Sequence, residues 1–355
     1  MSRTRILRNV ALSAALALPL AAAAAGGTAT AAAPSPAAQR SSLEASTVWG
    51  STPRVPWVVD GQLRDGEQRV QLGLESVYRV ERTAGGWLVG GAEQRNTSAM
   101  NYLVKPDGRR IALGSRPASI PAVVSEDGRR VAQVTGVRER QKVTLHRQLD
   151  GKAVAARLFR SPRVLAVRGN RVLLSILSRP AQRTLWWNAD TDSTRRVIDR
   201  PALSADLSAR RLVLADRRGG PCDQTLVRLA KPRSVVAELG NLTATGWNAT
   251  DDAMLLDDCY FDEPFSRLAV VKTDPGYRTL ARVDSEDRGG DRFSRAVWES
   301  RTTWLRLRFD DERAFVERCN KQATRCERAS RRWPAQVDPI DGALLSPQVV
   351  LGTRF

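Results

Sequence analysis

The chain has 355 residues, enough for two average domains or one large closed unit, with 56 Lys and Arg against 38 Asp and Glu and a formal charge of +18. That charge favours anionic partners, but there is no run of five basic residues and no DNA- or RNA-binding motif, which excludes a specific nucleic-acid ligand. With a single His and no Cys-x-x-Cys, the chain also lacks the donor set of a zinc site, and no metal ligand is assigned.

Residues 1–33 have the layout of a secretory signal peptide: Arg3, Arg5 and Arg8, an apolar run over 10–25, and Ala31-Ala32-Ala33 as a small-residue cleavage site. An uncleaved signal anchor is the alternative. The apolar run is short and Ala-rich for a membrane span, and no Cys closely follows it to carry a lipid. Without the three arginines the mature chain keeps a charge of +15. Residues 34–52 are rich in Ala, Ser and Pro and are expected to be a disordered leader before a single domain over 53–355.

From there the chain repeats about every 42 residues. Asp65-Gly66, Asp107-Gly108, Asp150-Gly151, 189–192, Lys231-Pro232, 274–276 and 321–324 form one series of turns. Gly85-Gly86, Asp127-Gly128, Gly169-Asn170, Ser208-Ala209, Thr250-Asp251 and Ser300-Arg301 form a second, interleaved with the first. Between them lie short, β-branched, alternating runs, and Asp-Gly suits a two-residue hairpin because both of its central residues tolerate positive φ. Two hairpins per repeat of this length make a four-stranded propeller blade. Blade 1 begins near Ser76, and blades 2 to 6 near Ile120, Arg163, Ala202, Leu242 and Arg295. The stretch 284–293, rich in Asp, Gly and Arg, is expected as a surface loop.

The two ends each look like half a blade. Residues 55–72 match a second hairpin with no first half upstream, and Asp341-Gly342 sits where a seventh first hairpin is due. The fold expected is therefore an all-β, seven-bladed β-propeller in which 336–340 and 343–350 supply the inner strands of the last blade and 55–72 the outer ones. A shared blade leaves no open edge. Pro339 and Pro347 weigh against regular strands there, and a six-bladed ring is the alternative.

Four cysteines in an exported chain favour disulfides. Cys319 and Cys326 oppose each other on one hairpin, while Cys222 and Cys259 occupy similar loops of successive blades; the pairs expected are Cys222–Cys259 and Cys319–Cys326. Nine Trp recur on strands of most blades, as packing between blade faces requires. Trp186-Trp187 is the one pair that could also offer an exposed stacking platform.

Val124-Ser125-Glu126-Asp127-Gly128-Arg129-Arg130-Val131-Ala132 resembles the Ser-Pro-Asp-Gly-Lys/Arg-x-Ile/Val-Ala signature of WD40-like propeller repeats of the TolB and tricorn-protease kind, with Glu126 in place of Pro. Lys105-Pro106-Asp107-Gly108-Arg109-Arg110-Ile111-Ala112 echoes it on the other hairpin of its blade. The hairpin from Phe315 through Cys319 and Cys326 to Ala329 is similar to the cystine hairpin of exported actinobacterial propeller proteins. The resemblance implies a fold and a scaffold or binding role, and transfers no catalytic residue.

Enzymatic constellations are mostly absent. There is no Gly-x-Ser-x-Gly elbow, Walker loop or His-Glu-x-x-His, and the length leaves no room for an appended peptidase domain. The sialidase box Ser-x-Asp-x-Gly-x-x-Trp fails at Ser125–Gly128, where Gly comes one residue early. His146, on a plain strand, is read as structural.

The concentration of charge is the blade-5 loop with Asp257, Asp258, Asp262 and Glu263, beside Arg217 and Arg218 of the blade-4 loop. Solvated ion pairs are the expected use. A Ca²⁺ site and a glycosidase acid–base pair are the alternatives. The function expected is a secreted, monomeric binding or scaffold protein, extracellular or wall-associated, recognising a protein or an anionic envelope polymer without a cofactor. A carbohydrate-active enzyme is the runner-up.

Overall fold

The computed structural model describes residues 49–353, apart from residues 94–95, 115–117, 137–138, 216–221, 241, 249–251, 259–266, 274–276, 285–291, 294–295, 310–311 and 338–343. Every regular element among the described residues is a β-strand, and they assemble into seven antiparallel blades. Blades 1 to 6 occupy residues 76–112, 118–160, 162–198, 202–240, 242–284 and 292–334. In each of these the first strand lies innermost and the last lies on the rim. The sequence period and the observed blade period therefore coincide.

Seven apolar clusters hold the ring, and each joins two adjacent blades. Leu88, Leu103 and Leu113 of blade 1 pack on Ala122, Val124 and Val131 of blade 2. Val134, Val143 and Leu145 of blade 2 pack on Val172, Leu174 and Trp187 of blade 3. The pattern continues around the ring and closes where Val58, Leu63 and Val70 of the seventh blade meet Val77, Val89 and Tyr102 of blade 1. Inner strands bury both faces, so they read as continuous apolar runs rather than alternating ones. In Gly86–Glu93, Trp87 and Val89 face the seventh blade while Leu88 faces blade 2. Each such aliphatic side chain contributes roughly 1.5–3 kcal/mol by burial. The innermost strands of blades 1 to 5 each carry a register shift, at Val77/Arg79, Ile120/Val123, Val164/Ala166, Ala202/Ser204 and Ala244/Gly246. A bulge raises the local twist where the strands crowd the axis.

The seventh blade is shared by the two ends of the domain, with a different division from that expected. Residues 55–72 supply three strands, Trp57–Val59, Gln62–Asp65 and Gln68–Gln71, and the C-terminal Val349–Leu351 supplies only the innermost one. The reason is a second hairpin turn at Asp60-Gly61, with φ of 47° and 72°, upstream of Asp65-Gly66. Gln336–Val337 and Leu344–Ser346 do not join the blade; they pair with each other as a small separate hairpin. Pro347 separates that hairpin from the inner strand, lacking the N–H that a continuous ladder would need. Polar contacts secure the junction with blade 1: Arg82 pairs with Asp65, and Trp87 Nε1 donates to Asp65 Oδ2 at 2.8 Å.

Cys319 and Cys326 are directly opposed and disulfide-bonded, with Cα atoms 4.1 Å apart. Cys222 is also held in a disulfide; its expected partner Cys259 lies outside the described residues. Replacing Cys319 and Cys326 by Ser should lower stability by about 2.5 kcal/mol, from the chain entropy of the loop that they close. Urea unfolding reads this, and an unchanged midpoint would show that the hairpin holds itself.

Candidate functional site

In this topology the second-to-third-strand loops of all blades emerge at one end of the ring, together with the links between blades. Two residues of the expected charged site, Asp257 and Asp258, are described, at the end of a second strand on that side. Asp257 is in the strand Ala253–Asp258, opposite Leu268, and it is buried with 4% exposure. It shares a strand face with Ala253 and Leu255, which pack toward blade 6. Asp258 is the last residue of that strand, opposite Leu242. Cys222 stands at the foot of the neighbouring blade-4 loop. Asp262, Glu263, Arg217 and Arg218 lie outside the described residues. The part of the constellation on view is thus the base of the loop, where Asp257 is an interior carboxylate rather than a solvated one.

The charged interior that the sequence did not disclose is in blade 6. Arg306 and Arg308 alternate along the strand Thr303–Phe309, a pattern that reads as a solvent-facing strand, yet both are buried. Glu317 on the next strand lies opposite Arg306 and accepts from Arg306 Nε at 2.7 Å and from Arg308 at 3.1 Å. On the other face of the sheet, Arg318 binds both oxygens of Glu299 at 2.5 and 2.7 Å and Glu327 at 2.6 Å. It also donates to the carbonyls of Ser51 and Thr52 at 2.9 and 3.0 Å, while the Arg54 N–H donates to Glu299 at 2.8 Å. Burial works to raise Glu299, but the Arg318 hydrogen bonds, the Arg54 N–H and the Arg318 charge hold it below the ordinary carboxylate value. Burial likewise works to lower Arg318, and the carboxylates of Glu299 and Glu327 outweigh it and raise the group. This second cluster fastens the segment ahead of the first strand to blade 6. The signal was the cross-strand pairing of Arg306 with Glu317, eleven residues away, which only a known register exposes.

Among the described residues, the one grouping of potential metal donors is Glu317 with Cys319 and Cys326. Both sulfurs are already committed to the disulfide, so the grouping offers a single ligand. Trp187 is buried between blades 2 and 3 and its indole N–H donates to Asp192 at 3.0 Å. Trp186 packs against the cluster between blades 3 and 4, so the pair serves packing rather than an open platform.

His146 is interior, at 4% exposure. Gln133 Nε2 donates to the Leu113 carbonyl at 2.5 Å and lies 3.2 Å from His146 Nε2, and Asn101 donates to Gln133 Oε1 at 3.3 Å. These contacts orient the Gln133 amide, so His146 Nε2 must accept, and Nδ1–H donates to the Gly151 carbonyl at 2.9 Å. The ring is neutral. Burial lowers its pKa below the usual 6.5, the Gly151 contact opposes this, and Lys142 adds to the lowering. The unfolded chain therefore takes up a proton at higher pH than the folded one. This contribution to stability is complete above pH ~6.5 and is lost as pH falls through the folded value. Buried Glu81, raised mainly by desolvation, acts with the opposite slope. Comparing urea midpoints of the native chain and His146→Gln between pH 7.5 and 5.5 isolates the imidazole: the native chain should lose more. Parallel profiles would contradict the neutral assignment.

No protein-family model and no curated protein matches the chain. Solved structures do. A prolyl endopeptidase matches over 77% of this chain and 44% of its own, at 11% identity and a TM-score of 0.54. The acylaminoacyl peptidase of Pyrococcus horikoshii matches over 76% and 47%, at 8% identity and 0.54. The β-propeller domain of Cps50 (Swd1) from Myceliophteria thermophila matches over 74% and 89%, at 8% identity and 0.51. The chain spans less than half the length of the two peptidases. At these identities the likeness is one of fold alone, in keeping with the seven-bladed β-propeller described above.

Proposed function

We propose that the protein is an exported binding or scaffold propeller, which recognises an extracellular protein or an anionic envelope polymer without turning it over. The observation that carries this reading is the use made of its displaced ionisable groups. Four of them, Glu299, Arg318, Glu81 and His146, are buried, and each is engaged by other groups of the chain, Glu81 by Arg79 of its own strand, whereas a catalytic acid or base must reach a substrate. The disulfide suits an oxidising compartment, and the excess of cations suits an anionic surface. Among the described residues no helix is long and apolar enough to cross a membrane.

The carbohydrate-active reading depends on the blade-5 carboxylates. Incubation with wall sacculi and soluble wall glycans tests the two together. The binding reading expects no release of reducing ends by the native chain, and the same from Asp258→Ala. Turnover by the native chain that Asp258→Ala abolishes, with the fold intact, would replace binding by catalysis.

A further inference from the structure

On the rim, the outermost strands of blades 3 and 4 both bulge. In blade 3 the register passes from Leu185↔Arg196 to Thr184↔Ile198, leaving Val197 without a ladder partner. In blade 4 it passes from Arg228↔Lys231 to Val227↔Val235, leaving Pro232, Arg233 and Ser234 without one. An open groove of about 470 Å³ lies between the two strands, lined by Val197, Lys231, Pro232, Arg233 and Ser234. Four of its five lining residues are bulge residues. Bulges re-aim side chains and take residues out of the regular ladder. The sequence pattern instead places a turn at Lys231-Pro232; the chain turns two residues earlier, at Leu229-Ala230.

The groove is cationic. Lys231 and Arg233 are exposed, and among the described residues neither has an acidic partner. Arg195 is exposed and equally unpaired, and it lies opposite Trp186, on the sheet face that packs toward blade 4. The neighbouring acid, Asp199, is taken by Arg196 at 3.2 Å. Val197 and Pro232 supply an apolar part of the wall.

We propose that this groove binds a phosphate group. Two uncompensated cations in the lining exceed the charge of one carboxylate and suit a phosphate, with Arg195 a further exposed cation on the same face of blade 3. A guanidinium fork such as that of Arg233 grips phosphate oxygens in a bidentate way, and the Lys231 ammonium adds a second charge. The apolar wall accepts the carbon atoms between phosphates. The site rests on the reading of the protein as a binding module and names a ligand class for it: phosphodiester polymers of the envelope, or a free phosphate of the same chemistry.

The test is calorimetric titration of the folded chain with inorganic pyrophosphate and, separately, with poly(glycerol phosphate). Lys231→Glu/Arg233→Glu is compared with Arg140→Glu/Arg160→Glu, which reverses two exposed cations that oppose each other on blade 2 and have no acidic partner among the described residues. Saturable binding is expected for the native chain, weakened about tenfold or more by the first pair and less than about twofold by the second, with melting temperatures unchanged. Binding of pyrophosphate but not of the polymer would keep the site and assign it to a free phosphate. No saturable binding, or equal loss in both double variants, would overturn it. Sacculus binding that persists in Lys231→Glu/Arg233→Glu while the native chain fails to bind pyrophosphate would remove this site and leave the envelope reading standing.

Discussion

Deletion of residues 335–355 is expected to lower the melting temperature by roughly 10 °C or more, or to prevent folding. The deletion removes Val349–Leu351, the innermost strand of the shared blade, and exposes the edge of Trp57–Val59. It also removes the Gly352 N–H bond to the Pro56 carbonyl at 2.9 Å and the Thr353 link to Val80 at 3.3 Å, which tie the end of the chain to two blades. Val349 and Leu351 leave the cluster between blades 6 and 7, and Val350 leaves the cluster between the seventh blade and blade 1. At roughly 1.5 kcal/mol for each partly buried aliphatic, the apolar loss alone is about 4–5 kcal/mol before any ladder bond is counted. A closed ring transmits that loss, because two of its seven interfaces are weakened at once. Scanning calorimetry of the truncated chain gives the answer, and an unchanged transition would mean that the ring does not need its last strand.

The second large effect is expected at Glu317. Its carboxylate sits between Arg306 and Arg308, and all three are buried. Glu317→Ala takes the negative charge away and leaves two interior guanidinium groups facing the gap. Removing one partner of a buried ion pair costs about 3–5 kcal/mol, because the remaining charge stays desolvated. Glu317→Gln keeps the shape and part of the hydrogen bonding, and should recover little, since an amide brings no charge to this buried cluster. Conversely, an apolar replacement of all three residues at matched volume should be tolerated better than the single change. Urea midpoints of the three variants decide this; a loss below 1 kcal/mol in Glu317→Ala would show that other groups neutralise the pair.

These two sites differ in how far the sequence announces them. The ring was legible because every blade needs hairpin turns, and turns have chemistry: Asp107-Gly108, Asp127-Gly128 and Asp150-Gly151 mark their positions through the residues that tolerate positive φ. The shared blade followed from what was missing at either end. Its division into three strands and one escaped notice because Asp60-Gly61 falls only five residues before Asp65-Gly66, and one of two such adjacent turns is easily absorbed into a strand. Lys231-Pro232 misled in the opposite direction: Pro there marks a bulged rim strand, which needs no N–H at that point. The Arg306-Leu307-Arg308 alternation looks amphipathic and is interior, because burial of a charge depends on a partner that local patterning does not contain. For the same reason the candidate sites were the least legible part. Asp257 reads as a loop carboxylate and lies within a strand, and the rim groove arises from two register shifts that no single segment encodes.

The measurement that bears most directly on the proposed role is co-sedimentation of the chain from residue 34 onward with purified cell-wall sacculi, at low and at high salt. Screening shortens the reach of exposed charges from about 10 Å at 0.1 M to about 3 Å at 1 M salt. A built recognition site predicts binding that persists at high salt and saturates. Binding that vanishes with salt would reduce the interaction to the excess of cations over anions in the chain, and no binding at either salt would contradict recognition of a wall polymer.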